Sequence, residues 1–303
     1  MTEARASQTG SPLAGVLWML ATGLNFVMVT ALVKVVGSRI PAAESAFLRY
    51  LLGLVFLVPM WRPLLAAPLP WPTLALFSAR GLVHSLGVIL WFYAMANIPM
   101  AEVTAINYLN PVFVTLGAAL IFGEKLALRR LAAIGAALLG ALIILRPGLR
   151  EIDPGHIAML GTAVLFAASY LMANRLAGLV RPVVVVAMLS ITVTIGLAPF
   201  ALANWVPPTL AEIGWLFGVA AFATAGHYSM TRAFAAAPMT VTQPVTFLQL
   251  VWSVLIGAIF FAEPVDAFVI LGGGLILSAV SFITWREAVL KRRVTPVVNE
   301  AKL

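Results

Sequence analysis

The chain has no cysteine, and only 10% of its 303 residues are charged. Without a thiol there is no disulfide, no cysteine nucleophile and no thiolate metal site. The three histidines lie far apart in the sequence, so neither a metal centre nor a resident cofactor is expected. The scarcity of charge excludes more. A soluble domain carries charge on about a quarter of its residues. A chain that is 62% hydrophobic, with a mean hydropathy of +1.03, belongs mostly in lipid. No stretch is long or polar enough for a separate soluble domain, and no GxxxxGK[ST] run is present to cradle a nucleotide. The formal net charge is +8, but the basic residues sit between apolar runs and in the tails. There they orient a protein in a bilayer; they do not form a nucleic-acid surface.

What is present is apolar length. A membrane span needs about 20 mostly apolar residues, and ten runs qualify: 13–34, 42–60, 74–95, 101–122, 127–145, 155–175, 183–203, 213–235, 241–261 and 266–285. Proline-bearing turns separate many of them, at Pro41, Pro63 to Pro72, Pro147, Pro154, Pro182 and Pro207-Pro208. Long unbroken runs in lipid must be helices, because a helix satisfies its own backbone. The first run is too long for a signal-peptide core of roughly 7–15 residues and is read as an uncleaved span. Trp61, Trp71, Trp205, Trp215 and Trp285 fall near run ends, as an interfacial aromatic belt requires. Loops after even-numbered spans, together with both tails, hold 13 basic residues, against 4 (Lys34, Arg39, Arg146 and Arg150) in the other loops. Both tails, 1–12 and 287–303, are therefore expected in the cytoplasm of a bacterial-type inner membrane.

The chain also repeats itself. Residues 94–138 return without a gap at 233–277, and an offset of 139 carries Pro99 to Pro238, Met100 to Met239, Leu109 to Leu248, Phe122 to Phe261, Glu124 to Glu263 and Gly135 to Gly274. With five spans in each half, 13–146 and 155–286, the second half must enter the membrane upside down relative to the first. The expected fold is an all-α integral membrane protein of ten transmembrane helices, arranged as two inverted five-helix repeats around a central cavity. Such halves can rock about a midplane site, which is alternating access.

The run from Trp91 to Lys125, with its Pro99 turn, Asn110-Pro111 inside a span and the Gly123-Glu124 turn, resembles the drug/metabolite transporter superfamily, EamA type. The resemblance covers nearly the whole chain. It implies an exporter of small metabolites, with aromatic and other neutral amino acids as the nearest expectation and multidrug carriage as the alternative. The second copy departs from the first at one landmark, where Gln249-Leu250 stands in place of Asn110-Pro111.

Superposing the repeat matches Thr104, Asn107 and Asn110 with Gln243, Thr246 and Gln249. A spacing of three keeps each trio on one helix stripe. Two readings stand: the stripes face a common cavity, or they hydrogen-bond between helices. Recurrence in both halves favours the cavity. Pro111 and Pro244 break their helices and free backbone carbonyls. Trp18, Thr22 and Asn25 share a face of the first span, and Phe166 and Tyr170 share a face of the sixth, with Asn174 a turn on. Aromatic faces suit an aromatic or amphipathic solute, and amides would hold its polar end. His84 lies near the middle of the third span, with Trp91 one helical face along as cavity lining or interface residue, and His227 and Tyr228 lie in the eighth. For His84 and His227 the readings are a proton carrier or hydrogen-bonded packing.

Arg49 lies inside the second span, where it either attracts a carboxylate and gates the mouth or pairs with Glu44 or with carbonyls. Arg80 is shallow enough to snorkel to the cytoplasmic interface. Glu124 and Glu263 each precede a helix start, where a carboxylate caps free amides. Ala132, Ala136, Gly140 and the run Gly272 to Gly274 suit close helix packing, in a monomer or across a homodimer. No acidic residue is securely mid-span, which weakens a carboxylate proton relay and leaves facilitated export or histidine-borne exchange. A membrane-embedded lipid-modifying enzyme is the competing class, and it lacks the clustered acids and metal ligands such chemistry needs.

Overall fold

The computed structural model describes residues 11–122, 127–149, 151–237 and 239–294. Most of both expected tails, with Glu124, Lys125, Arg150 and Pro238, lies outside them. The described residues form α1 (Pro12–Val36), α2 (Ala42–Gly53), α3 (Trp61–Leu65), α4 (Trp71–Asn97), α5 (Met100–Asn107), α6 (Asn110–Phe122), α7 (Leu128–Leu145), α8 (Pro154–Ala177), α9 (Pro182–Ala203), α10 (Leu210–Ala236), α11 (Met239–Thr242), α12 (Phe247–Phe261) and α13 (Ala267–Val294). Among the described residues, nine stretches are long and apolar enough to cross a membrane. The tenth is α10, 27 residues long, whose His227, Tyr228, Ser229 and Arg232 dilute its apolar character.

Helix starts follow local chemistry. Proline occupies the first turn of α1, α4, α8 and α9, where its missing N–H has no partner to lose. Ser11 and Asp153 cap α1 and α8, and Thr209 with Glu212 forms a capping box on α10. Gly37, at φ 69°, ends α1 in a conformation that favours glycine.

Three expected spans are not continuous α-helices. The second stops at Gly53, winds as a 3-10 helix through Leu54–Met60 around Pro59, and resumes as α3. The fourth parts between Asn107 and Asn110, just before Pro111. The ninth passes from α11 through a 3-10 turn, Gln243–Thr246, which holds Pro244. In each case a proline removes a donor and crowds the preceding turn. The last helix, by contrast, runs well past its expected end at 285.

Helices pair across the halves. α1 packs on α10, α4 on α8, α2 on α9, α5 on α12 and α7 on α13, each pair taking one helix from each half. Lipid is as apolar as leucine, so close van der Waals fit has to hold such pairs together. A Cβ at Gly140 would come within 2.7 Å of the Gly272 carbonyl oxygen, so the small-residue stripes serve packing between α7 and α13. One core, including Val29, Phe92, Ile106, Met159, Val219, Leu250 and Ile276, draws on both halves. The five belt tryptophans are all exposed.

Polar pins gather at one end, where α1, α4 and α9 finish. Lys34 Nζ lies 2.5 Å from Glu263 Oε1 and donates to the Ile98 carbonyl at 2.8 Å. The Met100 N–H donates to Glu263 Oε2 at 2.8 Å. Glu263 therefore caps α5 in the other half, not the helix that follows it; Asp266 caps that one, accepting from the Phe268 N–H. Arg39 with Glu212, Arg146 with Asp266 and His156 with Glu102 pair at the same end.

Candidate functional site

The groove between α4 and α8 holds a stack of rings. His84 lies parallel to Phe166, with centroids 4.6 Å apart and planes at 15°. Trp91 meets Phe166 edge-on at 5.9 Å, and Tyr170 is tilted against it at 6.4 Å. The approach is possible because α4 has Gly87 there: a Cβ would come within 2.8 Å of the Phe166 ring. Ser169, on the same face of α8, places its hydroxyl 3.1 Å from His84 Nδ1 and 3.4 Å from Arg80 Nε. Arg80 also donates to the Val185 carbonyl at 3.3 Å and is 5% exposed. It turns inward rather than snorkelling to the interface. Ser169 offers an acceptor within its reach there, and α8 and α9 close over it.

The groove between α1 and α10 has a similar plan. Gly226, which the 139-residue offset equates with Gly87, faces Asn25 and Phe26 of α1, each 3.3 Å from where its Cβ would stand. The Phe26 and His227 rings are 5.2 Å apart. Trp18 meets Tyr228 edge-on at 6.1 Å, and the Arg232 guanidinium sits 5.2 Å above the Trp18 ring. Here the rings are open: Tyr228 is 56% exposed, and His227 and Arg232 are exposed as well. Thr22 and Asn25 donate to the carbonyls of Trp18 and Ala21 in their own helix, at 2.9 and 2.7 Å. The Asn25 bond to Ala21 uses one of its two amide hydrogens and leaves the side-chain oxygen and the second hydrogen.

The broken helices form a third group. Thr104 and Ser253 share a 2.7 Å hydrogen bond, and the Tyr108 hydroxyl donates to the Thr246 carbonyl at 2.7 Å. At Thr104 the stripe is thus interhelical bonding, as one of the two readings had it, while the bond at Thr246 is to its backbone carbonyl. Asn110 departs from that reading: the side chain is buried and its Oδ1 has no partner among the described residues. Asn107 is half-buried at the last turn of α5. Gln249 is half-buried against Gly23 of α1.

Arg49 lies over the ring of its neighbour Tyr50 on α2, 4.0 Å from the centroid. It does not pair with Glu44, whose Oε2 accepts the Val206 N–H at 2.8 Å. Among the described residues neither Arg49 nor Arg80 has a carboxylate partner. The sequence reading missed Ser169, Ser253 and the pairing of His156 with Glu102; Ser169 was open to discovery, three residues beyond Phe166 on one helix face. At the end opposite the pins, a cavity of about 510 Å³ is lined by Pro63, Ala67, Leu179, Arg181 and Val184, next to the carbonyl that holds Arg80.

The EamA-like transporter family matches the chain twice, over residues 13–146 and 153–285. A riboflavin transporter of Rhizobium johnstonii is 32% identical over 95% of this chain and 96% of its own length. A pseudopaline exporter of Pseudomonas aeruginosa is 28% identical, covering 88% of this chain and 94% of its own. An S-adenosylmethionine uptake transporter of Rickettsia prowazekii is 23% identical, over 91% and 94%. A solved crystal structure shares the fold at a TM-score of 0.58 and 20% identity, covering 91% of this chain and 99% of its own. None of these relatives is named for aromatic amino acids, so the resemblance holds for the family and not for that branch of it. The chain belongs to the EamA-like transporter family and is a multi-pass membrane protein.

Proposed function

We propose that this member of the family is a secondary transporter of the bacterial inner membrane, and that it carries a small planar solute between its two halves by alternating access. The observation that carries the reading is a pair of ring-lined grooves built across the halves, Trp18 with Tyr228 and Phe166 with Tyr170, each beside a histidine, together with a buried Asn110 Oδ1 that has no partner among the described residues. Aromatic walls hold a flat ring, and a few fixed polar groups orient it. The riboflavin relative favours a ring system of that kind within the wider expectation of aromatic and other neutral amino acids. Pairing of every major helix with one from the other half is what an inverted repeat with a central two-fold would produce.

In this reading the pinned end is external and both termini are cytoplasmic. Ion pairs tie the external end together, which supports a conformation closed to the outside. Substrate release outward then requires the external pins to part.

The test is flux across liposomes containing the purified protein, with labelled riboflavin, tryptophan, phenylalanine, threonine and a cationic drug. Saturable riboflavin or tryptophan flux well above threonine is the expected result. Threonine flux equal to tryptophan would remove the planar-solute reading, and drug flux alone would move it to a multidrug carrier. Orientation is checked separately by a reporter fused after Val206. A cytoplasmic signal there would overturn the inverted arrangement.

A further inference from the structure

Arg80 is almost fully buried, and its hydrogen bonds, at 3.3 and 3.4 Å, are long for a guanidinium. Arg49 is half-buried over a tyrosine ring. A buried cation is retained when something compensates its charge. Carbonyl, hydroxyl and ring contacts do so only in part, and among the described residues no carboxylate pairs with either arginine. The acids Glu44, Glu102, Glu151, Asp153, Glu212, Glu263 and Asp266 all lie at or near the pinned end, and Glu287 lies beyond the last span at the other. The helix interior between them holds arginine and no carboxylate.

We infer that the compensating charge comes from the solute: the site takes a planar ring bearing a net negative charge, as carboxylate or phosphate, and carries it as an anion without a co-transported proton. This inference rests on the transport reading above and narrows it. Arginine binds either anion through paired N–H groups, while the ring lies against Phe166 or Tyr170. The rest of the charge distribution agrees. Arg62, Arg175, Arg181 and Arg232 make the cytoplasmic side attractive to an anion, and the acid-rich external end does not retain one.

A membrane potential negative inside drives an anion outward without further coupling. That supplies a direction, export, and a physical reason for an interior without a proton-relay carboxylate.

The experiment uses wild-type protein in liposomes with two matched pairs of probes: riboflavin 5′-phosphate against riboflavin, and N-acetyltryptophan against its neutral amide. Valinomycin and a tenfold potassium gradient, high inside, set the potential. N-acetyltryptophan, a monoanion, moved alone then distributes about tenfold toward the outside at equilibrium and the more highly charged riboflavin 5′-phosphate more steeply, whichever way the protein is inserted, while a neutral probe distributes evenly. Anion distribution that ignores the potential overturns the inference, because the charge was then cancelled by a coupled ion. Flux of the neutral probes with exclusion of both anions overturns it too, and leaves the transport reading standing. Flux of no planar probe removes both. The two pairs also separate phosphate from carboxylate recognition. Arg49→Gln and Arg80→Gln should each lower the initial anion rate at least tenfold and the neutral-probe rate much less. Equal loss on both members of a pair would make the arginines structural. If Arg80→Gln fails to fold, Arg49→Gln and the wild-type distribution still decide the matter.

Discussion

The groove between α4 and α8 and the groove between α1 and α10 both lie between the halves, and the 139-residue offset equates α4 with α10 and α1 with α8. Each brings a glycine up to a phenylalanine, Gly87 to Phe166 and Gly226 to Phe26, and sets a histidine against that ring. Their contents differ. In the first, His84 is 7% exposed, stacked and bonded to Ser169. In the second, His227 is exposed and tilted from its ring. The ends of α8 and α10 differ in the same sense: buried His156 and Glu102 hold the start of α8 to α5, whereas solvent-facing Arg39 holds the start of α10. The duplicated architecture supplies two grooves, and burial decides what each can do. The first is a fixed wall; the second has rings free to reorient as a solute arrives.

The largest test of that difference is removal of each phenylalanine. Phe→Ala in a packed site costs roughly 3–5 kcal/mol. Phe166→Ala also strips the plate from His84, Trp91 and Tyr170, so we expect a clear loss of thermal stability in detergent and at least a tenfold fall in riboflavin flux. Phe26→Ala, at a half-buried ring, should cost less in both. Equal losses would mean that the grooves are equivalent despite their burial.

Next in size is the pin on α8. Glu102→Gln keeps the shape but leaves His156 facing an amide, and replacing a charged partner of a buried pair by a neutral one costs about 1–3 kcal/mol. The expected outcome is a lower melting temperature with a higher rate of external opening, read by labelling of a single cysteine placed at Ile98, which is buried at that end. Since the chain has no native cysteine, the label reports that position alone. Unchanged labelling would separate this pair from opening.

Much of the fold was legible because apolar length is a direct demand of the bilayer. The run ends, the basic loops and the prolines at 111 and 244 each express one local rule, and the breaks fall where those prolines sit. The site was legible by residue type but not by partner. Trp18, His84 and Phe166 could be named, whereas the choice of Ser169 by both His84 and Arg80 depends on how α4 rotates against α8. Glu263 shows the limit well. Its place before α13 suggested a cap on that helix, but the left-handed turn at Ala262 aims it across the interface at Met100 and Lys34. A partner in the other half is a tertiary fact with no local signature.

Smaller effects should follow from the two glycines. A Cβ at Gly87 meets the Phe166 ring at 2.8 and 2.9 Å and the Leu165 Cβ at 3.2 Å. Overpacking of that kind costs about 1–3 kcal/mol. A Cβ at Gly226 has its nearest neighbours at 3.3 Å, one of them the tip of the Phe26 ring, which can give. Gly87→Ala should therefore lower the melting temperature and riboflavin flux, and Gly226→Ala should leave the fold nearly untouched. The reverse order would show that α1 and α10 fit more tightly than α4 and α8.

The smallest effect belongs to the pin on α10. The Arg39 guanidinium, then the Thr209 hydroxyl and N–H, hold the Glu212 carboxyl at about 2, well below its ordinary 4.5. A lowered carboxylate contributes stability that is fully present above the ordinary value and is lost as pH falls from there toward the folded value. Wild-type protein should thus weaken between about pH 4.5 and 2 by an increment that Arg39→Ala lacks, because without the guanidinium Glu212 titrates closer to its unfolded value. Exposure and salt keep the increment small, and it should shrink further at high ionic strength. The measurement is the melting temperature of both proteins across that range at low and high salt. Parallel curves would mean that Arg39 does nothing for the start of α10, and the capping box of Thr209 and Glu212 alone would then hold the open groove in place.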